Sequence, residues 1–223
     1  MRSSDRSKLL LGAFAGVIVL AIAGGFYYGA KKKRDLESSA AASAADATAR
    51  LRDAAALALD APKAAAQLQA HEAALAGHLE RLRAEDASRN KALADAAELY
   101  LVDVHAMLRV QANAARAHAA ARASRRALAA HMDSAEGRGA GWIQRALALK
   151  DRAERDNFDY RTAVGALAAL YYAHRESQEK LRAALPDAPL LADEERRRLH
   201  QAAQEAEAKA GQDLEQLRRL PIG

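Results

Sequence analysis

A chain of 223 residues that lacks cysteine and holds 4% aromatic residues excludes disulfide scaffolding, thiolate metal centres and thiol catalysis. The net charge of +5 does not point to nucleic acid. Residues 1–34 carry seven Lys/Arg and one acid, which leaves 27 Lys/Arg against 28 acids in residues 35–223.

The first eight residues form a basic tail with Arg2, Arg6 and Lys8. Residues 9–30 follow, a run of 22 without a charge or a proline, LLLGAFAGVIVLAIAGGFYYGA. About 20 apolar residues suffice to cross roughly 30 Å of hydrocarbon as a helix, so this run predicts a transmembrane helix. Tyr27 and Tyr28 stand at one end, where aromatic rings prefer the headgroup boundary. Lys31, Lys32, Lys33 and Arg34 close it with positive charge suited to anionic lipid. A cleaved secretory signal is the rival reading, with Ala21-Ile22-Ala23 as the cleavage site. The apolar run continues past that site to Ala30 and ends on four cations, which favours a retained span. Basic residues on both flanks leave the positive-inside rule near balance. Long C-terminal domains translocate largely regardless of charge, so a domain outside the cytoplasm is favoured. The bias to Ala and Arg suggests a bacterial source. The expected place is the bacterial inner membrane, single-pass, with the C-terminal domain periplasmic.

Residues 31–50 form the basic collar and a Ser/Ala-rich tether. Composition leaves open whether it is a solvated helix or a flexible linker. Residues 51–223 predict an Ala-rich helical bundle, Ala being the strongest helix former. The expected helices lie at about 51–60, 61–84, 90–135, 142–185 and 192–219. Asp60 and Pro62 suit the start of the second, with Leu68, Leu75, Leu79 and Leu82 on one face. Residues 84–91 hold no large apolar side chain and predict a turn capped by Asp86 or Ser88; one continuous helix with a stutter is the alternative.

The third helix has a heptad pattern. One inner position reads Leu93, Tyr100, Met107, Ala114, Ala121 and Leu128. The other reads Ala97, Val104, Gln111, His118, Arg125 and Met132, and so turns polar in its second half. GRGAG at residues 137–141 breaks the helix. The fourth helix carries a stripe of Ile143, Leu147, Ala153, Tyr160, Val164, Leu167, Tyr171, His174, Leu181 and Leu185, ended by Pro186 and Pro189. The last has Glu194 and Glu195 in its first turn and Arg218 and Arg219 in its last, each favourable to the helix dipole. Its inner face reads Leu199, Ala203, Ala206, Ala210 and Leu217. The fold class expected is therefore all-α, an N-terminal single transmembrane helix followed by an elongated antiparallel helical bundle or coiled coil.

A tight turn near residue 138 makes the third and fourth helices antiparallel. It places Val104 opposite Tyr171, Gln111 opposite Val164, His118 opposite Asn157, and Arg125 near Lys150, Asp151 and Glu154. Gln111, His118, Arg125 and Asn157 then form a candidate polar layer able to take an anion. Between Val104 and His131 five arginines (Arg109, Arg116, Arg122, Arg125, Arg126) and three histidines occur without an acid. They read either as an anion site or as a basic face neutralised by acids of the last helix, the latter being favoured. Phe158 and Tyr172 point away from the stripe and mark a partner surface. No His pair has the spacing of helical metal ligands, GRGAG lacks the context of a phosphate loop, and no serine sits in a nucleophile motif. No catalytic residue, metal or cofactor is expected. The function read from the chain is a non-catalytic, membrane-anchored scaffold or adaptor that binds a protein partner or itself, with no nucleic acid. The alternative is a tethered binding module for an anionic ligand or lipid headgroups.

Overall fold

The computed structural model describes the backbone of residues 3–59, 61, 63–85, 88, 90–134 and 139–222, and side chains from residue 27 onward. Among the described residues there are five helices and no strand: α1 (Ser3–Ala56), α2 (Ala64–Ala84), α3 (Lys91–Met132), α4 (Ala140–Ala184) and α5 (Asp193–Arg219). The chain is an all-helical bundle.

The largest departure from expectation is α1. Tether and first bundle helix are one unbroken helix of 54 residues. The Ser/Ala-rich stretch is not a solvated spacer, because Leu36, Ala40, Ser43, Ala47, Leu51 and Ala54 are buried against α2 and α3. These residues recur every three or four positions, the spacing of one helical face. Between Leu36 and Leu51 the face is made of Ala40, Ser43, Ala44, Ala47 and Thr48, small residues that give little hydropathy signal but allow close helix approach.

Among the described residues no helix is long and apolar enough to cross a membrane. The side chains of residues 9–26 of the expected span lie outside the described ones, as do those of Arg2, Arg6 and Lys8. Of its far end, Tyr27 is 75% and Tyr28 58% exposed. Lys32 lies 5.0 Å from the centre of the Tyr28 ring, and Lys33 pairs loosely with Glu37 at 3.8 Å. Lys31 and Arg34 are exposed.

After α1 the chain reverses. Lys63, at φ 72°, occupies the left-handed region immediately before α2. α2 starts at Ala64, later than the expected residue 61, and buries Leu68, Leu75, Leu79 and Leu82. It runs back along α1, where His78 Nε2 is 3.1 Å from the Asp46 carboxylate and His78 Nδ1 is 3.2 Å from the Ser43 hydroxyl. Burial lowers the His78 pKa, outweighing the pull of Asp46. α2 ends at Ala84 and α3 begins at Lys91, and Asp86 between them lies outside the described residues. The N-cap of α3 is Asn90, whose side chain accepts from the Leu93 amide at 3.2 Å, so Ser88 does not cap it.

α3 and α4, of 42 and 45 residues, are about 63–68 Å long at 1.5 Å per residue and form the axis of the bundle. They pair close to the expected register. His131 stacks on Trp142 with ring centres 4.9 Å apart, His118 meets Tyr160 at 4.7 Å, and Tyr100 meets His174 at 4.9 Å. The tip is fastened by His131 Nε2, 3.0 Å from the Trp142 carbonyl oxygen, and by Trp142 Nε1 donating to Ser134 at 3.3 Å.

The other helices cover this axis unevenly. α1 runs parallel to α3, with Thr48 against Tyr100 and Ala54 against Gln111. The α1–α2 hairpin therefore covers α3 over its first half. α5 packs along α4 and buries Ala203, Ala210, Leu214 and Leu217; Leu199 and Ala206, expected inside, are half-buried. The main core spans all five helices, from Leu36 to Ala203. A separate small cluster of Leu128, Ala153 and Leu217 closes the tip.

Candidate functional site

The polar layer expected from the heptads does not converge. Gln111 turns towards α1, where its Nε2 donates to the Ala54 carbonyl at 2.7 Å. That carbonyl, in the last turn of α1, also accepts from the Leu57 amide at 3.1 Å. Asn157 is fully buried and donates to the Ala153 carbonyl one turn earlier, at 2.7 Å. His118 is half-buried beside Tyr160.

Arg125 pairs with Asp213 of α5, not with Lys150, Asp151 or Glu154. Lys150 instead donates to the Arg218 and Leu220 carbonyls at 2.9 and 2.8 Å. The register of α3 against α4 left α5 out; the carboxylate comes from that last helix, the acid source named in the favoured reading of the basic run. A cleft of about 450 Å³ at this junction is lined by His118, Arg122, Arg125, Tyr160, Lys209 and Asp213, among others. Burial and the Asp213 charge raise the Tyr160 pKa.

The basic run of α3 is thus divided. Arg125 is neutralised by the last helix. A second cleft, of about 490 Å³, shares His118 and Arg122 with the first and lies where the α1–α2 hairpin ends. Lys63, Arg116, His118, Arg122 and Arg126 line it together with Leu59 and alanines of α2 and α3, and no carboxylate occurs among its described lining residues.

A buried polar seam, which the heptads concealed, joins α1, α3 and α4. Tyr100 donates to the Thr48 hydroxyl at 2.6 Å, which itself donates to the Ala44 carbonyl at 2.8 Å. Burial pushes the Tyr100 phenol up to about 12, against the Thr48 hydrogen bond. Next to it the His174 ring is fully buried. Its Nδ1 lies 3.1 Å from the Ser177 hydroxyl and 3.8 Å from the Asp103 carboxylate. Burial works to raise the Asp103 pKa, but hydrogen bonds from His174 and Ser177 outweigh it and hold the carboxyl low.

Ser, His and Asp side by side suggest nucleophilic catalysis, and the geometry argues against it. A working triad needs Ser and Asp on opposite ring nitrogens. Here both face Nδ1, and Nε2 has no hydrogen-bond partner among the described residues. The Ser177 hydroxyl is buried and donates to its own helix at the His174 carbonyl, 3.0 Å away. Nor do three His, Asp or Glu side chains gather as a metal site among the described residues.

The surface of α4 is more informative. Phe158 is 53% and Tyr172 69% exposed. Fourteen residues are close to four helical turns, so the two share one face about 21 Å apart. Leu147 lies on the same face three turns before Phe158 and is 47% exposed, although the sequence stripe placed it inside. Tyr172 leans edge-on to His200 of α5 with ring centres 5.9 Å apart. The chain matches no protein-family model, no curated protein and no solved structure.

Proposed function

We propose that this chain is a non-catalytic scaffold, anchored in a membrane by residues 9–30, whose helical bundle binds a protein partner or a second copy. The observation that carries the reading is the exposed apolar row Leu147, Phe158 and Tyr172 along α4. Large apolar side chains in a row on a rigid helix mark a contact surface more often than isolated ones do. The anchor rests on the uncharged run and its basic flanks. α1 supports the link between anchor and bundle, since one helix contains the run and enters the core at Leu36 without a break. The bacterial inner membrane, with the bundle on the periplasmic side, is the place proposed.

Full-length protein carrying Phe158→Ser and Tyr172→Ser tests the reading. The native chain is expected to be retained in membranes and to crosslink to a partner or to itself, and the double variant to keep its helicity and lose the crosslink. A full-length chain that stays soluble without detergent refutes the anchor. An unchanged crosslink in the double variant refutes the surface.

A further inference from the structure

We propose that the upper half of α3 is a docking groove for an acidic helix of a partner protein, which occupies the place that the α1–α2 hairpin fills lower down. This rests on the scaffold reading and names the chemistry of the partner. The face of α3 that the hairpin covers carries Leu101, Leu108, Ala112 and Ala115, all buried. The same face continues at steps of three and four through Ala119, Ala123, Arg126 and Ala130, all exposed. The change occurs where α1 ends at Ala56 and α2 begins at Ala64. The bundle thus loses two of its helices at that level, while the heptad pattern of α3 runs on.

Charge specifies the occupant. The groove is rimmed by Lys63, Arg116, Arg122 and Arg126, with small alanines between them. Arg116 has a neutral neighbour, donating to the Asn113 side-chain oxygen, and Arg126 is exposed. Small residues let a helix backbone approach closely, and cations at helical spacing match carboxylates on a helix laid along them. The exposed face from Ala119 to Ala130 gives about 17–18 Å of helix, a little over three turns. A lipid surface fits less well. If residues 9–30 are in the membrane, α1 enters the bundle beside the start of α3, and the groove lies about 40 Å farther along.

The test uses the full-length chain in the membranes of cells that express it. A photo-crosslinking amino acid is placed at Ala123 in the groove, and separately at Ala169, which is exposed on the Phe158–Tyr172 side of α4. The expected result at Ala123 is an adduct to a segment of another protein with carboxylates every three or four residues. Arg116→Glu with Arg126→Glu should reduce its yield about fivefold or more while leaving melting temperature and the Ala169 adduct unchanged. The groove proposal is overturned by an Ala123 adduct to lipid, to a second copy, or to a segment without carboxylates. It is equally overturned by an adduct insensitive to the charge reversal, or by none. An adduct at Ala169 alone overturns the groove and leaves the scaffold reading standing, whereas no adduct at either position defeats both.

Discussion

Tyr100 and Thr48 should be worth more as a pair than either is alone. Both are fully buried, and their oxygens are 2.6 Å apart. Thr48 gives its proton to the Ala44 carbonyl, so Tyr100 is the donor between them. Tyr100→Phe removes that donor and leaves no group stranded, because Thr48 keeps its own acceptor. The expected cost is about 1 kcal/mol, the net worth of one hydrogen bond. Thr48→Val keeps the shape but strands the phenol in the core, and should cost about 2–3 kcal/mol. With the phenol already removed, Thr48→Val should cost little. The coupling is then about 2–3 kcal/mol, at the upper end of the range that double-mutant cycles find for residues in contact. Thermal unfolding of the full-length chain in detergent, followed by far-ultraviolet circular dichroism, reads this as about 2–4 °C per kcal/mol for a chain of this size. Additive single effects, or a Thr48→Val chain as stable as the native one, would refute the seam as an α1–α3 clasp.

Alkali should expose the same seam. The Tyr100 phenol is pushed up to about 12 in the folded state, so its contribution is complete below the unfolded value near 10 and is lost as pH rises from about 10 to 12. Burial raises Tyr171 as well; Tyr100→Phe should flatten the alkaline loss without abolishing it, as pH titration of the melting temperature would show. The Arg52–Glu195 pair, with nitrogen and oxygen 2.8 Å apart, is 45% and 35% exposed, and Glu195→Gln should cost about 0–1 kcal/mol. The Arg52 hydrogen bond holds the Glu195 carboxyl below its ordinary value, so that contribution is present at neutral pH and disappears as pH falls through the lowered value; salt should shrink it. Leu108→Ala, at a fully buried position, should cost about 2–5 kcal/mol, whereas Phe158→Ser with Tyr172→Ser should change stability by less than about 1 kcal/mol, and chemical unfolding distinguishes the two.

The helices were legible because their signals are local. Leu68, Leu75, Leu79 and Leu82 keep helical spacing and are buried as a face. Pro186 and Pro189 follow the end of α4 at Ala184. The packing of the tether was not legible, since its buried face is Ala40, Ser43, Ala44, Ala47 and Thr48 with one leucine, Leu36. An alanine face differs from a solvated alanine stretch by what lies opposite it, which no local window contains. Leu147 misled for a related reason. It fits the apolar period of α4, yet α4 shares its surface between α3 and α5, and the period alone does not say which faces are covered.

The candidate site shows the same limit more sharply. In the sequence the arginines of α3 form one undivided basic run. Folding separates them by angle around the helix: at 3.6 residues per turn Arg125 lies about 100° from Arg126 and about half a turn from Arg116. Arg125 turns to the carboxylate of Asp213, 88 positions away in the chain. Arg116 and Arg126 lie on the flank where the covering helices have stopped. A fully neutralised basic face would have made the run a matter of solubility. The structure leaves two kinds of arginine on one helix, one held by an internal acid and one facing a groove with no carboxylate among its described lining residues, and the proposed docking rests on the second kind.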